Sequence, residues 1–373
     1  MVRSRGGGLI LAEPSPSRVR VSGYKSIESM DLELRTLNVL IGANGAGKSN
    51  FISLFTLLNE IVESRLQTHV ATHGGADALL HYGSRKTKEL VIRLDFPPNG
   101  YGARLIPAQD SLVFGQEDCY YQGPGHDRPF QDTLGIAHKE TKLLEPARRV
   151  QIKDYVLEAM RTWRVYHFND TSDDAPIKKV APLEDNVQLR PNASNLAPFL
   201  YFLKKKHPDS YERIVKTVRL AAPFFKDFDL KPSRLSPNKI QLEWVEQGSD
   251  AYMNAYSLSD GTLRFMCLAT LLLQPSLNAT VVIDEPELGL HPYAIVLLAQ
   301  MLSAASEQAT VIVSTQSVPL VNQFTPEDVI VVERQGGPST FRRLSSADMS
   351  DWLDDYGLGD LWEKNVLGGR PQR

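Results

Sequence analysis

The sequence predicts an α/β protein built on a mostly parallel β-sheet that is flanked by helices. Apolar runs of strand length alternate with amphipathic segments, a glycine-rich loop joins one strand to a helix, and another strand ends in two acidic residues. Parallel strands need helical crossovers, and these helices cover both faces of the sheet. The sequence also predicts an antiparallel β subdomain and an inserted helical lobe.

Composition narrows the class of protein before any motif is considered. The 373 residues are 42% hydrophobic and 23% charged, and 41 basic against 44 acidic residues give a net charge of −3. These values exclude a disordered chain and do not require nucleic acid as a partner. With two cysteines, Cys119 and Cys267, a disulfide framework or a cysteine-rich metal site is also excluded. No apolar run could span a membrane, so we expect a cytoplasmic protein without a membrane partner.

The first 70 residues divide into an extension and an N-terminal lobe. Residues 1–17 are rich in glycine, serine and proline and are predicted to be a flexible extension. In the lobe, residues 18–70, two alternating segments predict a hairpin before the apolar strand 37–41. Apolar residues at helical spacing over 51–62 then predict an amphipathic helix.

Two insertions are predicted in the middle of the chain. Short strand candidates between glycines and prolines predict an antiparallel β region over 71–180. Two helical segments bounded by prolines predict a helical insertion over 181–235. Strands and helices alternate again over 236–340, the C-terminal lobe, which starts with a predicted strand at 239–245. Residues 341–373 are a predicted C-terminal tail.

A phosphate-binding site is predicted between the strand 37–41 and its helix. Residues 42–49, here called the phosphate loop, read Gly-Ala-Asn-Gly-Ala-Gly-Lys-Ser and match G-x-x-x-x-G-K-[ST]. Backbone N–H groups of such a loop and the following helix N-terminus surround a polyphosphate. Lys48 is predicted to reach the β- and γ-phosphates and Ser49 to ligate Mg²⁺. The other predicted cofactor-binding residues of this loop and helix are Asn44, Gly45, Gly47 and Asn50.

Two acidic residues follow the apolar strand 281–283. Asp284 is predicted to lie beside the phosphate loop and to hold magnesium through water, and Glu285 to polarise the attacking water. Two solvated turn residues are the alternative, which the presence of the phosphate loop argues against.

The signature segment, residues 258–262, reads Leu-Ser-Asp-Gly-Thr and begins a predicted helix. Ser259 and the N–H of Gly261 lie at its N-terminus, which attracts anions, and an ordinary N-cap is the alternative. A loop lysine, a Ser-x-Gly helix start and an Asp-Glu strand, in this order, resemble ATPase heads of the ABC type. The resemblance implies an ABC-type P-loop NTPase head in which Ser259 and Gly261 bind the γ-phosphate of ATP held by the opposite subunit.

Further stretches are similar to the RecF/SMC-like and OLD-like branch of these ATPases. The D-loop segment, residues 285–292, reads Glu-Pro-Glu-Leu-Gly-Leu-His-Pro, and residues 23–27 resemble the opening strand of the branch. The resemblance makes Lys25 a candidate phosphate contact, with a solvated charge as the alternative. The switch segment, residues 314–317, has Gln316 where the family has His, and glutamine can donate a hydrogen bond but cannot ionise. Candidate catalytic residues are therefore Glu285, Gln316 and Lys48.

The family's magnesium-ligating glutamine stays open among four residues of the antiparallel region. These are Gln109, Gln116, Gln122 and Gln131.

The whole pattern resembles stand-alone bacterial AAA family ATPases, of AAA_21-like and OLD-ATPase-like type, from defence and repair loci. This resemblance implies a homodimer that sandwiches ATP and Mg²⁺ at its interface. It also implies that the dimer controls a partner effector, such as a nuclease encoded nearby, or acts on DNA. The basic run 204–206 is a candidate DNA contact. Two alternatives stay open: the ATPase subunit of a membrane transporter, and a nucleotide-gated scaffold with little turnover. The irregular insertions argue against the first, and Gln316 motivates the second.

Overall fold

Two six-stranded β-sheets carry the fold of this computed structural model. The structure describes residues 15–123, 129–146, 149, 151–249, 251–349, 352 and 355–369. Most of the predicted N-terminal extension, residues 1–14, lies outside them. None of the helices in the described part of the chain is long and apolar enough to cross a membrane.

The elements follow in chain order. The strands are β1 (Arg18–Tyr24), β2 (Ile27–Glu33), β3 (Leu37–Ile41), β4 (Leu90–Phe96), β5 (Asn99–Ala108), β6 (Ser111–Tyr121), β7 (Phe130–Gly135), β8 (Trp163–Tyr166), β9 (Ala181–Pro182), β10 (Phe225–Phe228), β11 (Lys239–Ile240), β12 (Glu243–Glu246), β13 (Tyr252–Asn254), β14 (Thr280–Asp284), β15 (Thr310–Ser314), β16 (Val329–Glu333) and β17 (Thr340–Arg343). The helices are α1 (Lys48–Val62), α2 (Leu66–Thr72), α3 (Gly75–Leu79), α4 (Gly83–Lys86), α5 (Ile152–Arg161), α6 (Leu196–Lys206), α7 (Pro208–Ala221), α8 (Asp260–Leu272), α9 (Pro292–Ser306), α10 (Val318–Val321) and Leu358–Glu363.

The mostly parallel sheet has the strand order β17-β16-β3-β15-β14-β8, in which the β16–β17 pair is antiparallel. Alternate residues of its strands face two apolar layers. Val282 and Ile312 pack in the layer that contains α1, whereas Val281 and Val313 pack in the layer that contains α8 and α9. Because both faces are covered, these strands are almost continuously apolar. The predicted α/β class is confirmed.

The antiparallel sheet has the order β2-β1-β4-β5-β6-β7. The hairpin predicted before residue 37 is β1 and β2, and the two strand candidates 90–96 and 111–114 are β4 and part of β6. Since β1 pairs with β4, this sheet joins the first lobe to residues 71–135. β5 was not predicted, because its glycines suggest a loop. In the structure a Cβ at Gly102 would clash with the ring of Tyr120, so glycine is needed here to leave space for that ring on the sheet.

The helical insertion contains the two predicted helices, α6 and α7. The prediction of a single strand over 239–245 is wrong. β11 pairs with β9, while β12 pairs with β10 and β13, so this stretch belongs to two separate ladders. The alternation of apolar residues over 239–245 is continuous, but the pairing strand changes between Ile240 and Glu243, which the sequence pattern does not reveal.

Candidate functional site

Three neighbouring parallel strands deliver the predicted site residues to one edge of the sheet. Asp284 of β14 pairs with Ser314 of β15, and Ser314 pairs with Leu40 of β3. The phosphate loop begins two residues after Leu40, and the switch segment begins at Ser314. The register therefore brings the loop, Asp284 and the switch segment together, as expected where parallel strands end.

The backbone of the phosphate loop has conformations that favour glycine. Gly42 and Gly47 have φ angles of 154° and 120°. A Cβ at Gly42 would clash with the carbonyl oxygen of Val332, and one at Gly47 would clash with the Ser339 side chain. Exposed residues at the rim of the loop are Asn44, Gly45 and Ser49.

Lys48 is the buried cation of the site, with 5% of its surface exposed. Its Nζ donates to the carbonyl oxygens of Gly42 at 2.6 Å and Ala43 at 3.2 Å. Burial lowers the pKa of Lys48, and the negative charges of Asp284 and two glutamates of the D-loop segment act in the opposite direction. Phosphate oxygens can replace the two carbonyl groups as acceptors, because the ammonium donates to any oxygen in reach.

Two serines hold the phosphate loop from outside it. The Ser339 Oγ, in a side chain almost fully buried, donates to the Ala46 carbonyl oxygen at 2.6 Å and lies 2.7 Å from the Ser26 Oγ. The Nδ2 of Asn50 also donates to the Ser26 Oγ, at 2.7 Å. Asn50, predicted to face the nucleotide, is thus engaged with the β1–β2 turn. Neither serine was a candidate, because both lie far from the loop in sequence.

The two predicted acids are each bound by a residue of the switch segment. The Ser314 hydroxyl donates to Asp284, and the Gln316 side-chain amide donates to Glu285. Glu285 has a φ of 46°, a left-handed conformation that is uncommon outside glycine. Of the three candidates, Glu285 and Gln316 are therefore in direct contact, and Asp284 precedes Glu285 in the chain.

Glu287, in the D-loop segment, was not a candidate. It is 8% exposed, and its Oε1 accepts from the Thr315 Oγ1 at 2.5 Å and the Gln316 N–H at 3.0 Å. Its Oε2 is buried without a hydrogen-bond partner among the described residues. In the sequence, only its place as the second acid of Glu-Pro-Glu could have pointed to a role for Glu287, and a solvated turn residue would give the same pattern.

The signature segment begins α8 as predicted. Ser259 is its N-cap, with Oγ accepting from the Thr262 N–H at 3.3 Å, so the capping alternative is present in the structure. Ser259 is exposed, and it lines a cavity of about 110 Å³ together with Gly261, Gly289 and His291. A Cβ at Gly261 would clash with the Gly289 carbonyl oxygen, so glycine permits the contact between signature and D-loop segments.

Arg264 ties the signature helix to its surroundings through carbonyl groups. It is 7% exposed and donates to Phe168 at 3.1 Å, to Asn169 at 3.3 Å and to Leu288. Burial lowers its pKa. The loop after β8, α8 and the D-loop segment are therefore held by one side chain.

Lys25, in the β1–β2 turn, contacts α1 one helical turn beyond the predicted Mg²⁺ ligand Ser49. Its Nζ donates to the Ser53 Oγ of α1 at 3.0 Å, and burial lowers its pKa. Lys25 itself has a φ of 46°. The side chain is thus packed on the first half of α1 and is not among the contacts of the phosphate loop.

The four candidate magnesium-ligating glutamines all lie on the antiparallel sheet or its connections. The position beside Asp284 in the parallel sheet belongs to the end of β8, where Tyr166 pairs with Ile283. His167 and Asn169 follow there, both exposed. The loop after β8 therefore begins beside the strand that ends in Asp284.

The basic run 204–206 is partly engaged within the chain. Lys204 contacts Asp227 at 3.2 Å and lies over the Tyr211 ring, and Lys205 lies over the Tyr201 ring. These contacts reduce the free charge that the run offers to a phosphate backbone.

A known protein family and solved protein structures are similar to this chain and agree with this geometry. The family model AAA_21, whose description names an AAA domain, the AbiEii toxin and a type IV TA system, matches residues 37–322. A crystal structure of the SmcHead bound to the C-winged helix domain of ScpA is 15% identical, with a TM-score of 0.60 over 90% of this chain and 99% of that one. An Smc head domain with an extended coiled coil, bound to the C-terminal domain of ScpA derived from Pyrococcus furiosus, is 14% identical, with a TM-score of 0.54 over 92% and 99%. No curated protein matches. The predicted RecF/SMC-like, ABC-type fold is confirmed.

Lys48→Ala is expected to weaken ATP binding by about 10- to 150-fold, the ~1.5–3 kcal/mol of a hydrogen bond to a charged group. The loop keeps its glycine conformations but loses its buried cation. The measurement is calorimetric titration with ATP. Lys153→Ala is the matched control, because Lys153 is also buried and donates to a carbonyl, that of Glu145, away from the site. Equal affinities of the two variants would contradict the assignment of Lys48.

Proposed function

Because the chain belongs to the AAA_21 family of AAA domains and has the fold of an SMC ATPase head, we propose that it is an ATP-hydrolysing switch of the RecF/SMC-like type. One observation carries the proposal. The buried Lys48 and the half-buried Asp284 and Glu285 lie at one edge of the parallel sheet, and both acids are held by residues of the switch segment.

ATP and Mg²⁺ fit the donor groups of this edge. Mg²⁺ prefers oxygen ligands and uses one or two protein oxygens together with phosphates and water, and the exposed Ser49 hydroxyl and the half-buried Asp284 carboxylate match that set. The bound metal would neutralise charge that develops on the phosphates. Lys48 would leave the carbonyl groups of Gly42 and Ala43 and donate to phosphate oxygens.

Glu285 is the proposed general base. A carboxylate within reach of water can orient it and accept its proton. The Gln316 side-chain amide donates a hydrogen bond to Glu285 and cannot itself take the proton. We propose that water bound near the γ-phosphate shares Glu285 with the Gln316 amide, which then acts as an orienting donor.

A second copy of the chain is proposed to complete each site. α8 packs in the apolar layer on the opposite side of the sheet from α1, so Ser259 and Gly261 face away from their own phosphate loop. Three exposed apolar residues directly adjoin, in sequence, residues that line the cavity of the signature segment: Leu220, Leu288 and Tyr293. A two-fold dimer would cover this surface and place the partner's phosphate loop against the α8 N-terminus.

The antiparallel sheet and the helical insertion are the proposed output regions. The antiparallel sheet joins the nucleotide edge through the β1–β2 turn, whose Ser26 contacts Asn50 and Ser339. The helical insertion packs against α8, the helix of the signature segment. We propose that closing and opening of the dimer is passed to a partner effector, such as a nuclease encoded nearby, or to DNA, in bacterial defence or repair. The solved relatives are heads bound to domains of ScpA, which supports a partner protein as the receiver.

Ser259→Arg is expected to leave ATP bound to single chains but to prevent the ATP-dependent dimer. The long cation fills the cavity intended for the partner's γ-phosphate. Turnover should fall by about 10²-fold, as for loss of one preorganised donor. Light-scattering mass and steady-state hydrolysis measure both effects.

The control for this variant is Ser303→Arg, the same change on the exposed face of α9. If Ser259→Arg dimerises and turns over like Ser303→Arg, the signature segment is only a helix cap.

Glu285→Gln is expected to slow hydrolysis by about 10²- to 10⁴-fold, the usual contribution of a general base. The amide keeps the size of the side chain and leaves Lys48, Ser49 and Asp284 in place. ATP should therefore still bind, and the dimer formed with ATP should persist, because it opens only after hydrolysis. Hydrolysis rate and mass with and without ATP are the measurements.

Glu327→Gln serves as its control, since Glu327 precedes β16 at the opposite edge of the sheet. A nucleotide-gated scaffold would show no loss of turnover in Glu285→Gln. Lost turnover without any ATP-dependent assembly would leave an ATPase but reject the shared site.

A further inference from the structure

Glu287 is a buried acid that the proposed hydrolytic residues do not explain. It lies two residues after Glu285, in the D-loop segment. It is 8% exposed, and burial raises its pKa, while the hydrogen bond from Thr315 acts against that rise. Keeping a carboxylate in such a place costs free energy unless donors or positive charges compensate.

The compensation comes from the switch segment. One carboxylate oxygen, Oε1, accepts from the Thr315 hydroxyl at 2.5 Å and from the Gln316 backbone N–H at 3.0 Å. Thr315 Oγ1 in turn accepts from the Ser317 N–H at 3.0 Å. A single oxygen atom therefore fixes the backbone of the residue whose side chain binds Glu285.

Two buried cations interact electrostatically with the carboxylate of Glu287. Burial lowers the pKa of both Lys48 and Arg264, and the charge of Glu287 opposes that change in each. Both cations donate to carbonyl groups, Lys48 in the phosphate loop and Arg264 on the signature helix. Glu287 thus acts electrostatically on a cation of the phosphate loop and on a cation of the signature helix of the same chain.

We propose that Glu287 is a positioning residue of the hydrolytic site, whose carboxylate holds Thr315 and Gln316 so that the Gln316 amide reaches Glu285. The inference rests on the proposed ATPase activity and deepens it. Glu287 does not touch the reacting atoms in this role. It acts through the backbone of Gln316, and the amide of Gln316 then orients Glu285.

If Glu287 positions the switch segment, substitutions that keep a hydrogen-bond acceptor at residue 287 should affect hydrolysis less than those that remove it. Glu287→Met keeps the length of the side chain and removes the acceptor, so the switch segment loses both of its bonds. Glu287→Gln keeps one acceptor oxygen in the same place but has no charge. We expect kcat to fall by about 10- to 100-fold in the Met variant, as for a misplaced catalytic group, and by less in the Gln variant. KM for ATP should change far less than kcat.

The partner hydroxyl gives an independent variant. Thr315→Val removes one donor to Glu287 at nearly constant shape, and it should lower kcat in the same direction. Glu287→Met already breaks the Thr315–Glu287 hydrogen bond, so in the double variant Glu287→Met/Thr315→Val only the bond from the Ser317 N–H to Thr315 is newly lost. The loss of kcat in the double variant should therefore be smaller than the product of the two single losses. Effects that multiply in the double variant would show that the two residues act separately, which overturns the proposal.

Glu117→Met is the control for burying an uncharged side chain in place of a glutamate. Glu117 is fully buried and accepts from Tyr101 at 2.7 Å and Thr141 at 2.5 Å, within the antiparallel sheet. Its variant should lower the melting temperature and leave kcat at the wild-type value. Thermal melting of every variant establishes that it is folded before its kinetics are compared.

The outcomes separate this inference from the proposed function. Wild-type protein that does not hydrolyse ATP overturns both. A wild type that hydrolyses ATP, slowed by Glu285→Gln but unaffected by Glu287→Met and Thr315→Val, keeps the ATPase and rejects the role of Glu287. Equal losses in Glu287→Gln and Glu287→Met also reject it, because the retained acceptor oxygen would then have no positioning effect.

Discussion

The register of three parallel strands is the constraint on which the site depends. Leu40, Ser314 and Asp284 pair across β3, β15 and β14, so a shift of one residue in either pair would separate the phosphate loop from its acids. The strands are apolar on both faces and lie between two helical layers, which fixes this register strongly. The buried core of the sheet therefore determines the positions of polar groups at its edge.

Charge at that edge is balanced in a way that suits an anionic ligand with a metal ion. The negative charges of Asp284, Glu285 and Glu287 all act on one buried ammonium, that of Lys48, which donates to carbonyl groups of its own loop. Each acid is also held by the switch segment. A nucleotide with its magnesium would give the ammonium new acceptors and bring positive charge to the carboxylates, so binding would change the contacts of the switch segment directly.

The parts of this arrangement that depend on local sequence could be predicted. The phosphate loop, the strand ending in Asp284 and the start of α8 are each specified by a few adjacent residues whose spacing carries the chemistry. Ser339 could not be predicted, because its contact with Ala46 joins residues 293 positions apart. β5 was missed because glycine favours loops locally, whereas here it makes room for Tyr120. The role of Glu287 depends on burial, which one acid in a turn does not reveal.

The central claim is that each hydrolytic site combines Lys48 of one chain with Ser259 of another. Mixing two slow variants, Lys48→Ala and Ser259→Ala, tests it most directly, because Ser259→Ala removes the signature hydroxyl without filling its cavity and so lets the chains dimerise. In a mixed dimer one site has both substitutions and the other has neither, so an equal mixture should recover roughly a quarter of wild-type hydrolysis if a two-fold interface pairs the chains at random. Each variant alone should stay far below that rate at the same total concentration, with ATP at a level that saturates the wild type but not Lys48→Ala. A mixture no faster than its components would contradict the shared site.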